Sequence, residues 1–304
     1  MIRISALPRM VAVGVCLNLL ASNYAFATDD VTLDEVVVLG TRLSNDKVDS
    51  FKTYTPVIDV PQSVSVISYE QIQAQAFRNM GDVLRYTPGL SISQGEGHRD
   101  AIIIRGIQTT ADFFIDGMRD DVQYYRPLYN VEQIEILRGA NALMFGRGGG
   151  GGIVNRVSKK ALIGEDFNSL TAGIDSFGDS TITGDSNFDV ADNAALRINA
   201  YYQDLANHRD FYDGNSFAIN PKLTIGLGDQ TVGQISYEYV DDDRGIDRGV
   251  PSMLVAGGPN TPLTGYNNTF FGSPDANITT LEAHIFRARI DHEFSDGLRG
   301  NLTA

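Results

Sequence analysis

The residues that first invite a chemical reading are a run of glycines. The stretch "LMFGRGGGGGIVNRVSKK" (143–160) holds five in succession, Gly148 to Gly152. Gly146, Gly148 and Gly151 satisfy G-x-G-x-x-G, and Glu165 and Asp166 follow about 20 residues on, where a dinucleotide-binding turn would place its ribose carboxylate. That chemistry needs a strand before the glycines and a helix after them. The flanks offer "ANALMF" and the strand-like "GIVNRVSKK" instead, so an exported nucleotide-dependent enzyme is the weaker reading. The four histidines, His98, His208, His284 and His292, show no metal-ligand spacing, and no Ser/His/Asp set converges. The one cysteine, Cys16, lies in an apolar segment near the N-terminus. Neither catalysis, a resident metal nor a cofactor is expected.

That apolar segment, "MVAVGVCLNLLA", follows Arg3 and Arg9 and leads to Ala25-Phe26-Ala27, an A-x-A cleavage site before polar Thr28-Asp29-Asp30. It reads as a secretory signal peptide over residues 1–27. Cleavage removes Cys16, which leaves an exported chain without thiols or disulfides. The formal charge of −14 argues against nucleic acid as partner. Beyond the signal no window offers about 18 consecutive apolar residues, so no membrane-spanning helix is expected. What remains is a soluble periplasmic protein, a secreted one, or an outer-membrane barrel.

Three textures follow along the chain. Residues 28–60 look extended, and "LDEVVVLGTR" (Leu33–Arg42) carries three β-branched valines that suit a strand added to another protein's sheet, or an ordinary first strand. Residues 61–160 read as an α/β unit. "SVSVIS" alternates as a strand, and Ser68 with Gln71 makes a capping box for the helix "YEQIQAQAF". "NMGDVLRYTPGL" offers Asp82 and a short helix ended by Pro88-Gly89. "AIIIRGI" is a buried strand, "FFIDGMR" a strand into a turn at Asp116-Gly117, and Asn130 a plausible helix cap before strand-like "QIEILRG".

From about residue 166 the period becomes two. "SLTAGID", "TITGDSNFDV", "AALRINAYYQD", "AINPKLTIGL", "VGQISYEYV" and "IFRARIDHEF" each alternate apolar with polar residues, and "LRGNLTA" begins another such segment. Segments of about ten residues with this alternation are the signature of a transmembrane β-barrel. After the first hairpin, short turns ("VADN", "GLGDQ", "SDG") alternate with long connections ("ANHRDFYDGNS" and the stretch from "DDDRGIDRGVPSM"), as expected when one side faces the periplasm and the other the exterior. Arg197, Lys222, Glu238 and Arg287 share the face opposite the aromatics. A β-sandwich would not need charges placed so consistently. Six strands and the start of a seventh cannot close around a domain of this size, so the chain is expected to be the front of a longer protein.

These residues resemble the TonB-dependent outer-membrane receptors and, among them, the ferric-siderophore receptors. "LDEVVVLGTR" looks like the TonB box. "VPQSVSVISYEQIQAQAFRNMGDVLRYTPGL", "IIIRGI", "FFIDGMR", "NVEQIEILRGANALMFGRG" and "GGIVNRVSKK" look like successive plug motifs, and "DDDRGIDRGVP" like the passage from an early strand into an external loop. The set in this order is specific, although each motif alone is weak. The glycine run departs from the family's usual "GRGSPGGVIN"-like text, which implies a looser turn and a hinge candidate in a plug that must be pulled open. No room is seen between Ala27 and the box for a periplasmic signalling domain.

The resemblance implies an α+β plug domain followed by an antiparallel transmembrane β-barrel of roughly 22 strands. It divides the chain into a signal peptide (1–27), TonB box and periplasmic linker (28–55), plug (56–162) and incomplete barrel (163–304). It further implies import of a ferric siderophore, with the catecholate type as nearest match and haem, cobalamin or carbohydrate receptors of the same family as alternatives. The implied partners are TonB with its inner-membrane energising complex, the ferric siderophore and outer-membrane lipid. TonB would pair with Asp34, Glu35, Val36, Val37, Val38 and Leu39. Arg99, Tyr124, Tyr125, Arg126 and Tyr129 would meet an anionic, aromatic ligand, with His98 the weaker candidate. The alternative for the tyrosines is packing of plug against barrel. Arg105 and Arg138 would lie at the plug–barrel contact and pair with barrel carboxylates, Glu238 among them.

Overall fold

The computed structural model describes residues 63–93, 97–139, 145–146, 151–295 and 298–304. The proposed signal peptide and TonB box lie outside them.

The first part is built on two small sheets. β1 (Ser63–Ser68) runs into α1 (Tyr69–Ala74), where the Ser68 hydroxyl accepts from the Gln71 N–H at 3.3 Å, the cap its sequence promises. α2 (Met80–Arg85) is capped by Asn79, whose Oδ1 accepts from Asp82 N at 3.1 Å. Its Met80, Val83 and Leu84 recur at helical spacing and are buried. β2 (Leu90–Ser93), β3 (Ala101–Ile104) and β4 (Ile107–Thr109) form one sheet. β5 (Phe113–Ile115), β6 (Met118–Arg119), β7 (Val131–Arg138) and β8 (Gly152–Ser158) join β1 in the other, in the order β1-β7-β8-β5-β6. Ile67, Ile72, Met80, Leu84, Ile102, Ile104, Phe113, Ile134, Ile136 and Val154 fill the core between them. Each such burial contributes about 1.5–3 kcal/mol.

Two hairpins use a two-residue turn with φ positive at both positions, Arg105-Gly106 (50° and 86°) and Asp116-Gly117 (51° and 79°). This is the turn whose twist matches paired strands. The turn at Asp116-Gly117 agrees with its sequence. Asn130 does not cap a helix: it is buried directly before β7.

A strand, not a helix, follows the glycine run, which removes the nucleotide cradle. At its end the glycines serve tight packing. A Cβ on Gly151 would stand 2.5 Å from the Ile104 carbonyl oxygen, and one on Gly152 (φ 153°) 2.3 Å from that of Leu137. At these two positions the missing side chains let three strands approach; Gly148 to Gly150 lie outside the described residues.

The second part is a seven-stranded antiparallel meander: β9 (Phe167–Ile174), β10 (Ser180–Ala191), β11 (Ala194–Ala206), β12 (Asp213–Gly226), β13 (Thr231–Gly245), β16 (Ile278–Ser295) and β17 (Leu298–Thr303). The loop between β13 and β16 carries a small hairpin, β14 (Ser252–Met253) with β15 (Thr261–Pro262), that the sequence does not announce. Short turns join the strands at one end, while residues 207–212 and 246–277 form longer loops at the other. The burial pattern is inverted relative to a soluble protein. Asn199, Asn220 and Glu238 are at most 1% exposed, and Arg197, Lys222 and Arg287 are buried with them. Ile182, Tyr202, Ile235, Tyr237, Phe286, Ile290 and Phe294 are exposed on the other face. On β13 this apolar face ends where Asp241 and Asp243 succeed Tyr237 and Tyr239, and the strand runs on toward the long loop.

Register is strongly specified by this arrangement. Lys222 pairs with Ser236 and Ser236 with Arg287, all on the inward face. A one-residue slip would turn such charges outward, and each Arg or Lys moved into a bilayer midplane costs about 2–4 kcal/mol.

Candidate functional site

The inward face of the meander packs on the first part, through a polar contact beside an apolar patch where Val122, Tyr124 and Tyr129 meet Ala218, Val240 and Leu281. Lys159 pairs with Asp185 at 2.8 Å, and Asp185 holds Arg197 through two bonds of 2.8 Å. Asn187 accepts from Leu162 N at 2.9 Å. Glu238 accepts from Asn130 Nδ2 at 3.0 Å and Tyr129 Oη at 3.2 Å, and pairs with Arg287 at 3.0 Å. The Asp116 carboxylate accepts from both the N–H (2.8 Å) and the hydroxyl of Ser158, which also meets Lys222. Burial alone would raise Asp116, but Lys222, Arg287 and the two Ser158 bonds outweigh it and hold its carboxyl down at about 2. The carboxylate is therefore charged across the neutral range.

At the long-loop end, a buried ion cluster shapes two surface loops. Asp120 Oδ2 takes Arg126 Nε at 2.7 Å and Arg156 Nη2 at 2.6 Å. Arg126 also donates to the carbonyls of Asp120 (3.2 Å) and Val122 (2.7 Å), and its backbone N–H to Asp100 at 2.8 Å. Its guanidinium lies 4.0 Å from the centre of the Phe113 ring. Burial would raise Asp120, yet Arg156 and Arg126 together bring it below the usual carboxylate range. Burial pushes the Tyr124 phenol up to about 12, so it stays protonated beside Arg156, whose Nη2 donates to it at 3.1 Å. The cluster ties residues 97–100 to 120–126, and these loops hold Arg99 and Tyr125 half-buried and Gln123 exposed. Arg99 donates to Gln123. The Arg244 guanidinium from β13 stands 4.6 Å from the Tyr125 ring centre and is held by Asp242 at 2.6 Å.

The candidate ligand residues therefore separate. Arg99 and Tyr125 stand together at this apex, with His98 half-buried beside them. Tyr124, Arg126 and Tyr129 lie deeper. All three are buried, Arg126 is consumed by Asp100 and Asp120, and Tyr129 stacks on Tyr201 with ring centres 5.8 Å apart. They pack and brace, as the alternative reading of the tyrosines holds.

Arg105 and Arg138 make other contacts among the described residues. Arg105 occupies the first position of an exposed turn. Arg138 donates to the Pro88 carbonyl at 2.9 Å and to Ser65 Oγ at 2.7 Å, bracing β1 within the first part. Neither makes an ion pair with a barrel carboxylate among the described residues. Glu238 does face the first part, but its cation is Arg287. The residues for TonB, Asp34 to Leu39, lie outside the described residues.

Sequence reasoning missed Asn130, Asp120, Arg156 and Arg244. Only Arg244 had a signal, its place in "DDDRG" before the long loop. Among the described residues, no three His, Asp or Glu side chains are grouped to hold a metal.

The TonB-dependent receptor plug domain family matches residues 56–153. The chain is 29% identical over 303 residues to the probable TonB-dependent siderophore receptor PiuA of Acinetobacter baumannii, covering 96% of this chain and 41% of that protein. It is 30% identical to the probable TonB-dependent receptor BfrD of Bordetella pertussis, covering 90% of this chain and 38% of that one. The crystal structure of PiuA superposes with a TM-score of 0.77 at 28% identity, over 85% of this chain and 38% of that one. The open form of the ferric-catecholate import receptor Fiu from E. coli K12 gives 0.72 at 26%, over 82% and 38%. The chain thus spans about two fifths of the length of the relatives it matches.

Proposed function

From a chain that carries the plug and first barrel strands of a TonB-dependent receptor, we propose import of a ferric siderophore across the outer membrane. The observation that carries this is the plug itself, matched by its family and seated on an outward-apolar, inward-polar strand wall. Likeness to PiuA and Fiu supports a siderophore as cargo, and the second a catecholate chelate. The reading takes the protein as a transporter rather than an enzyme, and the division at residues 27, 55 and 162 goes with it. The signal peptide delivers the chain to the periplasm and the barrel inserts in the outer membrane. TonB pairs with Asp34 to Leu39 as an added strand and draws on the plug.

The test is growth of a deletion strain under iron limitation on a panel of single ferric siderophores, with the full-length gene restored in parallel. Loss of growth on one chelate class, recovered by the gene, is expected. A deletion strain that grows like its parent on every chelate would refute the proposal.

Arg99 and Tyr125, with Arg244 behind them, form the proposed outer contact for an anionic aromatic chelate. A charge-assisted hydrogen bond contributes about 1.5–3 kcal/mol. Arg99→Ala and Tyr125→Ala in the full-length receptor should therefore each weaken chelate binding by roughly 10- to 100-fold. Unchanged affinity in a fluorescence-quenching titration removes the residue from the site.

A further inference from the structure

Two inward cations of the wall are bound bidentately by carboxylates, Arg197 by Asp185 and Arg244 by Asp242. Arg287 is answered only in part. Its Nη2 reaches Glu238 at 3.0 Å, while Nε and Nη1 are buried without a hydrogen-bond partner among the described residues, in a side chain only 9% exposed. The nearest remaining anion is the plug's Asp116, 3.9 Å from Arg287 Nε and 4.0 Å from Lys222 Nζ, too far for hydrogen bonds. Between these groups lies a small cavity of about 20 Å³, room for one water or small ion, whose lining includes Asp116, Lys160, Lys222, Ser236 and Arg287. Lys222, Ser236 and Arg287 are cross-strand neighbours on β12, β13 and β16, so their spacing is fixed by the wall. Asp116 instead belongs to the plug and sits on a two-residue turn.

We propose that Lys222, Ser236 and Arg287 form an anion site on the wall, that Asp116 fills it at rest, and that an anionic group of the cargo takes the place of Asp116 as the plug moves. The last clause rests on the import reading; the first two do not. Withdrawing Asp116 alone would leave Lys222 with only the Ser158 hydroxyl and Arg287 with only Glu238, one carboxylate fewer for two buried cations, which is unfavourable. A passing carboxylate, catecholate or other small anion of like charge restores the pairing. Occupancy by cargo then lowers the cost of moving the plug along the wall at this point.

The probe is bromide, applied to the full-length receptor. In Asp116→Asn crystals an anomalous peak is expected within hydrogen-bond reach of Lys222 Nζ and Arg287 Nη1, and none in the wild type. The melting temperature of Asp116→Asn should rise with bromide at constant ionic strength, that of the wild type should not, and Arg287→Gln in the same background should abolish the rise. Asp116→Ser, which keeps a hydroxyl toward Ser158, replaces the amide variant if that fails to fold. An empty cavity with no bromide-dependent shift overturns the site.

For the last clause, Lys222→Gln and Arg287→Gln should leave outer chelate binding unchanged and slow uptake of an anionic chelate about tenfold, the effect of one charge-assisted hydrogen bond. Uptake at the wild-type rate overturns that clause. A wild-type receptor that imports no ferric chelate overturns the import reading and leaves the bromide result standing.

Discussion

Asp120→Ala should destabilise the plug by about 3–5 kcal/mol, the cost of removing one partner from a buried ion group. The loss is large because one carboxylate serves two guanidiniums, Arg126 at 2.7 Å and Arg156 at 2.6 Å, both only 1% exposed. Alanine leaves Arg156 with only the Tyr124 phenol, and Arg126 with Asp100 at 3.8 Å and backbone carbonyls. When cleavage proceeds through a reversibly opened state its rate follows the open population, so proteolysis of the plug in the full-length receptor should quicken by roughly 100-fold or more. Asp121→Ala is the matched control, since Asp121 is exposed and its nearest cation, Arg119, stands 4.0 Å away. It should stay within about 0.5 kcal/mol of the wild type. Equal cleavage rates for Asp120→Ala and the control would show that the cluster does not brace the plug. The same variant should also weaken chelate binding, because the loops that bear Arg99 and Tyr125 are tied down by this cluster.

Val37→Pro is expected to abolish uptake while leaving chelate binding at the cell surface intact. Proline has no N–H to donate to a partner strand, and its ring is tolerated only at the edges of sheets. If Asp34 to Leu39 transmit force through main-chain bonds to TonB, one missing donor in the middle of so short a strand removes the grip. The proposed chelate contacts Arg99 and Tyr125 are not among these residues, so binding has no cause to change. Wild-type uptake by this variant would exclude these residues as the TonB contact, whatever the cargo proves to be.

How much of this was legible in the sequence depended on the range of the interaction. Alternation is local, so the wall strands and their inward residues Arg197, Lys222, Glu238 and Arg287 could be read directly, and all four lie against the plug. The Ser68 cap and the Asp116-Gly117 turn are local too. Partners are not. Asp116 meets Ser158, Lys222 and Arg287, and Asn130 meets Glu238, across tens to more than a hundred residues of chain. Residue type misled where one side chain suits two roles. Tyr124, Arg126 and Tyr129 are as fit to brace a buried seam as to hold an aromatic anion, and only their exposure separates the roles. Arg105 and Arg138 each precede a glycine after an apolar strand, yet one is a turn residue and the other clamps Ser65 and Pro88. The glycine run hid a second role at its end, where Gly151 and Gly152 are required by the backbones of Ile104 and Leu137.

The seam between plug and wall is hydrophilic over much of its extent, with one apolar patch where Val122, Tyr124 and Tyr129 meet Ala218, Val240 and Leu281, and this mixture sets its thermodynamic character. Parting two apolar faces raises the heat capacity by about 0.45 cal/K/mol for each Å² exposed, whereas exposing polar surface lowers it. Wetting the stretch of Asn, Lys, Arg, Asp and Glu and the apolar patch of Tyr124, Tyr129, Val240 and Leu281 therefore contributes heat-capacity terms of opposite sign that offset one another. The work of sliding the plug should respond to ionic strength where water reaches the charges. Along the polar stretch such a joint behaves as a wetted bearing: water that enters takes over each hydrogen bond as it is released.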